Sequence, residues 1–449
     1  MITNLSSQEI PMEFYEFKFN KILYDAGHNW EKNTTFGPIR YQSTNDSIMI
    51  LQDSLRMHAL LGIHSKNDNI RMYGYERFSY KKHFYGYLYA SIVNDPNQFS
   101  RYSGIPRDIS RLGFKSGEMD LSGLGYQNDW LLFQFGRGRQ SWGAGNDIQL
   151  ALSENSPAYD YGLFGLNFGK LRFRYFHGFL ESDSSEINRY ITARGFEWTN
   201  LGSIVISLSE SVIYSGENRP IDLSYMNPLS THLEIELNNR QNRLGTNDAN
   251  GVWMLSLDWM LKPQLRFSGN ILFDEFVLDK IEKDAGKENG IAYSGRLSYC
   301  TIRTKNVTLT TYLSLLTVGT PTFRHHNGSN NFVQRNKPLG WEFGSDGREF
   351  IIGVNYYNMR NLISNFEIGF REIGEENLNH NPYNTYSDYI SGTYPSGIIK
   401  RTSYVSSEIQ WWIKPNISVI TGIDWSSSNT VGNKFEFNIG IDIFIPYNF

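Results

Sequence analysis

Four groups of residues have types and spacing that chemistry can use. The stretch from Gly136 to Asp160 reads GRGRQSWGAGNDIQLALSENSPAYD, and its glycines have the look of a phosphate-binding loop. Such a loop needs a buried strand before it and a helix after it. Neither pattern flanks this segment, which reads instead as a strand ending in a glycine-rich bend. Phe323-Arg-His-His-Asn-Gly328 offers two imidazoles. Adjacent histidines in an extended loop do not easily ligate one ion, and no cysteine or carboxylate is spaced to help them, so no metal is expected. Charged side chains form the third group. Arg172 and Arg174 alternate with Leu171, Phe173 and Tyr175, and Glu234, Glu236, Asp258 and Arg266 also sit opposite apolar neighbours. One face carrying both signs reads first as a self-satisfied polar network and second as a solute path. The fourth group is Tyr383, Tyr386, Tyr389 and Tyr394, set among Asn and Ser between Gly374 and Ile398, which puts flat apolar rings beside hydrogen-bonding amides. No nucleophile–base constellation stands out, and no cofactor is implied.

The elements that must position these residues are strands. The clearest is terminal: Phe435, Phe437, Ile439, Ile441, Ile443, Ile445, Tyr447 and Phe449 share one parity, while Glu436, Asn438, Gly440, Asp442 and Asn448 share the other, with Phe444 and Pro446 as exceptions. Successive side chains of a strand point to opposite faces, so this run has one apolar and one wet face. It is long enough to cross a bilayer when tilted. The pattern recurs at Leu233–Leu237, Trp253–Leu261, Leu362–Phe370 and Ile417–Trp425. Composition agrees. The 449 residues are 15% aromatic, with 28 Tyr, 29 Phe and 10 Trp, yet mean hydropathy is −0.43. A wall with lipid on one side and water on the other gives that mixture. A net charge of −4 gives no reason to expect a nucleic-acid partner. A single cysteine, Cys300, rules out an intrachain disulfide.

These features predict an all-β fold: a transmembrane antiparallel β-barrel of about 18 strands in the bacterial outer membrane. Residues 71–449 form the barrel, and residues 1–70 form a small plug or periplasmic element containing a possible strand at Tyr15–Phe19 and a loose helix at Asp46–His64. Met1-Ile-Thr-Asn-Leu-Ser-Ser lacks the basic and apolar regions of an export signal, so the start is expected to be truncated. From about residue 230 onward, tight turns (262–263, 304–305, 360–361, 414–415) alternate with long loops (240–250, 278–289, 319–346, 374–398), as short periplasmic turns alternate with long external loops. Before residue 230 the alternation fails. The turns at 168–170 and 200–202 fall on the external side, which implies one miscounted crossing near 215–229 or 140–156. Glu210 continues the apolar parity of Ile204, Ile206 and Leu208, so it sits near the membrane interface or follows a bulge that turns it inward, where it either binds sugar hydroxyls or makes an inward salt bridge with a wall arginine. Glu275 poses the same question after Ile271 and Phe273.

Trp142-Gly-Ala-Gly145, Leu150-Ala-Leu-Ser-Glu-Asn-Ser-Pro157 and Asp160 resemble a motif of the Wzi-type capsule-assembly family of outer-membrane proteins. Ser207-Leu-Ser-Glu210, Val212-Ile-Tyr214, Tyr225-Met-Asn-Pro-Leu229 and Phe273-Asp-Glu-Phe276 follow in the order that family shows, and Arg194-Gly195 stands where relatives often carry His-Arg. The likeness covers about a third of the chain. It implies an eighteen-strand, non-enzymatic, lectin-like barrel that helps attach capsular polysaccharide. Carbohydrate-binding candidates are then Trp142, Tyr383, Tyr386, Tyr389, Trp341, Arg172, Arg174 and Glu210. Expected partners are surface or capsular polysaccharide, outer-membrane lipid and lipopolysaccharide, and the barrel-assembly machinery, for which a terminal Phe449 is a signal. A porin or substrate channel is the alternative, and a barrel enzyme acting on lipid or peptide is a third reading. The loops at 319–346 and 374–398 are expected to pack on each other over the barrel mouth.

Overall fold

The outward parity of the terminal run dictates what it must join. A strand with one lipid face has its N–H and C=O groups satisfied in a membrane only if the sheet closes on itself. The computed structural model describes residues 21–27, 30, 33–37, 55–81, 83–99, 101–181, 186–242, 249–275, 280–304, 306–358, 360–386 and 392–448. Its wall is one 18-stranded antiparallel sheet. The strands are β1 (Arg56–Lys66), β2 (Asn69–Tyr80), β3 (Phe84–Val93), β4 (Ser116–Gln127), β5 (Leu131–Gly138) and β6 (Tyr159–Asn167). Next come β7 (Leu171–Leu180), β8 (Ile187–Thr199), β9 (Ile204–Glu217), β10 (Ala249–Lys262), β11 (Leu265–Glu275) and β12 (Gly290–Arg303). The last six are β13 (Val307–Val318), β14 (Gly347–Asn358), β15 (Leu362–Ile373), β16 (Lys400–Lys414), β17 (Ile417–Ser428) and β18 (Gly432–Asn448). Each pairs with its sequence neighbour, and β1 pairs with β18 from His58–Asn448 to His64–Asp442, which closes the barrel. Phe435, Phe437, Ile439, Ile441, Ile443, Ile445 and Tyr447 all face outward. A closed antiparallel barrel with this apolar exterior is an outer-membrane protein.

The wall begins at Arg56, so the expected boundary at residue 71 falls inside the first hairpin, and residues 56–64 are strand rather than helix. Leu61 and Ile63 point to lipid there. The alternating Leu233, Ile235 and Leu237 are not a strand. They lie in helix α2 (His232–Leu237), which follows helix α1 (Leu223–Met226) within the β9–β10 loop. Thr231 caps α2 by accepting from the Glu234 N–H. Over five residues, an alternating pattern also fits i, i+4 spacing once a cap starts a helix. The missed β1 and the extra strand offset each other in the count. With both corrected, the turns at residues 168–170 and 200–203 join those at 128–130, 263–264 and 415–416 on one rim. That rim is periplasmic, with both ends of the wall on it, and the long connections lie on the external side. The expected strand at Tyr15–Phe19, the first part of the expected helix, and Phe449 lie outside the described residues.

Such a barrel resists detergent until heated. Unheated protein in SDS is expected to migrate faster than boiled protein, and identical mobility would contradict the closed wall.

Candidate functional site

An 18-strand wall by itself encloses an aqueous channel. Here the inward-facing polar residues are taken up by chain that enters the lumen in three layers.

The layer nearest the short-turn rim comes from residues 21–27, 30 and 33–37, the plug segment. Asp258 on β10 and Arg266 on β11 face inward, and Arg266 donates through Nε to the Asp258 carboxylate at 2.8 Å. The plug inserts into this pair. The Tyr24 hydroxyl and the Asn33 amide, the latter at 2.7 Å, both donate to Asp258, and the Arg266 guanidinium lies over the Tyr24 ring at 3.3 Å. Asp25 of the plug receives Arg296 of β12 at 2.5 Å. Glu197 of β8 accepts from the Thr35 backbone N–H at 2.6 Å and from Arg172 at 2.7 Å. Arg174 donates to the Phe36 carbonyl at 2.6 Å. Arg172, Arg174, Asp258 and Arg266 therefore face inward, in a network completed by the plug. Glu234 and Glu236 leave this face altogether, because they sit on α2. Glu234 pairs with Arg240, and Glu236 accepts from the Tyr225 hydroxyl.

The β5–β6 loop, residues 139–158, forms the middle layer. It bends at Gly143 (φ 125°) and Gly145 (φ 85°), a backbone region that a side chain would strain. Asn270, inward on β11, clamps the bend: its amide oxygen accepts from Ala144 N at 2.7 Å and its NH₂ donates to Ala144 O at 3.0 Å. Ser294 holds the Ile148 carbonyl at 2.6 Å. Trp142 is fully buried between Phe36 of the plug (4.7 Å) and Phe176 of the wall (5.5 Å), so it joins the first two layers. Sequence reasoning did not find Asn270. One amide in a wet strand carries no signal until its backbone partner is known.

Residues 319–346, 374–386 and 392–399 form the outer layer over the mouth. Arg189 of β8, fully buried, donates to the carbonyls of Ser329 (2.5 Å), Asn331 (2.9 Å) and Val333 (3.0 Å). The Asn331 amide reaches the Pro382 and Asn384 carbonyls at 3.1 and 3.0 Å, and Tyr386 N–H donates to the His325 carbonyl at 3.0 Å. The two loops thus pack on each other. Trp341 is buried, with its N–H directed to Glu349 and its backbone bonded to the middle layer at Leu150. Tyr383 lies under the Arg189 guanidinium at 5.1 Å, and Tyr386 under Arg324 at 4.1 Å. Tyr389 lies outside the described residues.

Between these loops and the β11–β12 connection lies a half-open cleft of about 480 Å³, lined by Glu288, Arg324, Asn381, Asn384, Thr385 and Tyr386 among others. Its size is in the range of small-ligand sites, roughly 300–1,000 Å³. Arg324 is tied to Glu376 at 2.7 Å. Burial pushes the Tyr386 phenol up to about 12, so its hydroxyl remains a donor at neutral pH. Burial, reinforced by the Asp346 charge, also raises the Glu288 carboxyl.

Glu210 is not on this path. The β8–β9 and β9–β10 registers run through it without a shift, so no bulge turns it inward. It stays on the outward parity and is buried beneath the β9–β10 loop, where it pairs with Arg194 at 3.2 Å and accepts from His232 at 2.7 Å. The β11–β12 pairing does shift between Phe273 and Glu275, but the Glu275 side chain lies outside the described residues.

Plug, infolded loop and closed mouth together define the architecture to be matched. Wzi, an outer-membrane protein involved in group 1 capsule assembly in Escherichia coli and described as a carbohydrate-binding β-barrel, superposes with TM-score 0.62 and 12% identity, covering 97% of this chain and 98% of that one. The chain has the Wzi fold. The resemblance seen in the motifs between Gly136 and Leu278 thus extends, as fold, over almost the whole chain. Two Pseudomonas aeruginosa structures are more distant: OprD (TM-score 0.46, 11% identity, 88% and 95% coverage) and OpdK with vanillate (TM-score 0.47, 9% identity, 88% and 99% coverage). No family model matches the sequence, and no curated protein does.

Proposed function

We propose that this chain is an occluded, non-enzymatic outer-membrane barrel that binds a surface polysaccharide at its external mouth and helps assemble or hold it on the cell. The observation that carries the reading is the pairing of a lumen crossed by three layers with an open polar cleft at the outer end. A polymer too large to enter a filled barrel still reaches that cleft. Asn381, Asn384, Thr385 and Tyr386 supply both donors and acceptors for hydroxyl groups, and Arg324 and Glu288 supply charge. Wzi, which shares the fold, is described as binding carbohydrate. Among the earlier candidates, Tyr386 lies in the cleft. Trp142, Trp341, Arg172 and Arg174 hold the layers that support it.

Replacing Asn381, Asn384 and Thr385 together by Ala removes hydroxyl-binding groups at the cleft rim. At about 1 kcal/mol for each lost hydrogen bond, affinity for the bound glycan is expected to fall roughly 100-fold. The check is glycan binding by detergent-solubilised protein, alongside polysaccharide retained on cells carrying the variant. Undiminished binding by a variant that keeps its heat-modifiable mobility would remove the cleft as the site.

A further inference from the structure

Residues 218–242 of the β9–β10 loop lie against the outside of the barrel rather than over its mouth, and their polarity is inverted. Their wall-facing side is polar and aromatic. Tyr225 stacks on Tyr214 at 4.5 Å, and Tyr214 on Tyr190 at 4.9 Å. Arg194 of the wall donates to the Asn227 carbonyl at 3.1 Å, Tyr175 to the Tyr225 carbonyl at 3.2 Å, and His232 meets Glu210. The opposite side is apolar. Ile221, Leu223, Met226, Leu229, Leu233 and Leu237 all point away from the protein, with Leu223 79% and Leu237 81% exposed. Ile235 is buried, so six of the seven large aliphatic side chains between residues 218 and 242 face outward. The loops over the mouth do the reverse with Val333, Leu339 and Leu378, which are buried.

We infer that α1 and α2 form a lipid-embedded elbow whose outward face is covered by acyl chains of the outer leaflet. Continuity with the barrel's lipid face names the occupant. Leu208 on β9, Phe196 on β8 and Leu255 on β10 are outward and exposed, and the elbow begins at the next outward residue, Glu210, about 7 Å further along the strand. The leucines of the elbow therefore extend the apolar belt instead of interrupting it. Short amphipathic helices at a membrane boundary bury an apolar face in the same way. The elbow also accounts for Arg194 and Glu210 on an outward face: Tyr225, Asn227 and His232 of the elbow lie over them, so their charges never meet hydrocarbon. Asn238, Asn239 and Arg240, at the end of α2, form its polar edge.

The test places a nitroxide on Cys substituted singly for Leu223, Leu233 or Leu237. The folded barrel is labelled, because Cys300 is buried. Leu208→Cys serves as the belt reference and Asn239→Cys as the edge. In phospholipid vesicles, relaxation by oxygen is expected to dominate over a water-soluble nickel chelate at all three positions, as at Leu208, and the order should invert at Asn239. Nickel-dominated relaxation at the three leucine positions would overturn the proposal. So would exclusion of both relaxers together with spin–spin broadening between labelled chains, which would make a second copy the occupant. Heat-modifiability confirms that each labelled variant is folded.

Discussion

Arg266→Ala is expected to release the plug. The substitution removes the strongest partner of Asp258 while leaving that carboxylate fully buried, with the Asn33 amide at 2.7 Å and the Ser268 hydroxyl at 3.1 Å as remaining donors together with Tyr24. Breaking a buried ion pair from one side costs about 3–5 kcal/mol, because the surviving charge is left uncompensated. Arg266 also donates to the Tyr24 carbonyl and covers the Tyr24 and Trp30 rings, so the same change strips the plug of its cation–π contacts. At roughly ten-fold per 1.4 kcal/mol, the open form of the plug segment should become about a hundred-fold to a few thousand-fold more populated. Limited proteolysis from the periplasmic side reads this directly: cleavage before Arg56 should accelerate while the barrel stays resistant. The double change Asp258→Leu with Arg266→Met should be milder than Arg266→Ala, since no lone charge remains. Equal protease resistance in Arg266→Ala and the parent would show that the pair does not hold the plug.

That pair was legible in the sequence as two inward charges, and its meaning was not. Parity along β10 and β11 says which way Asp258 and Arg266 point, because a one-residue slip would turn Trp259 and Phe267 inward and the charges toward lipid. It says nothing of Tyr24 and Asn33, more than two hundred residues away in sequence. Long-range partners leave no local period. The same limit hid Asn270 and made Glu210 ambiguous. Its outward parity was read correctly, but the residues that shield it, His232 and Arg194, come from a loop and from the next strand. The β18 strand was clear because seven of its apolar side chains share one parity. β1 was not, because Leu51, Leu55 and Leu61 mimic helical spacing while only Leu61 and Ile63 mark the lipid face. α2 was misread for the opposite reason: six residues between two caps are too few to tell a period of 2 from one of 3.6. The mouth loops were legible as long, aromatic and facing each other, since length and ring content are local properties. The cleft between them was not, being a product of how two loops settle on Arg189.

Whether closure or passage is this barrel's purpose comes down to one measurement. An unfilled 18-strand wall conducts, so the parent protein should show no sustained conductance steps in a planar bilayer only if the layers stay in place. Each layer is anchored separately: the plug on Asp258 and Arg296, the β5–β6 loop on Asn270 and Ser294, the mouth loops on Arg189. Removing one layer leaves the others across the lumen, so deleting the chain before Leu55, or replacing residues 140–157 by a short Gly-Ser turn, should each give small, unsteady currents. Making both changes removes Trp142 and Phe36 together and leaves only the outer loops, and it should open large, long-lived steps. The wall itself should survive, because β5 and β6 pair from Leu131–Leu166 to Gly138–Tyr159 without help from the loop between them. Such a series, silent in the parent and more than additive in the double deletion, is what a binding barrel built on a filled pore requires. Steady conductance in the parent, unchanged by either deletion, would mean that solute passes the layers and would replace the polysaccharide-binding reading with that of a channel.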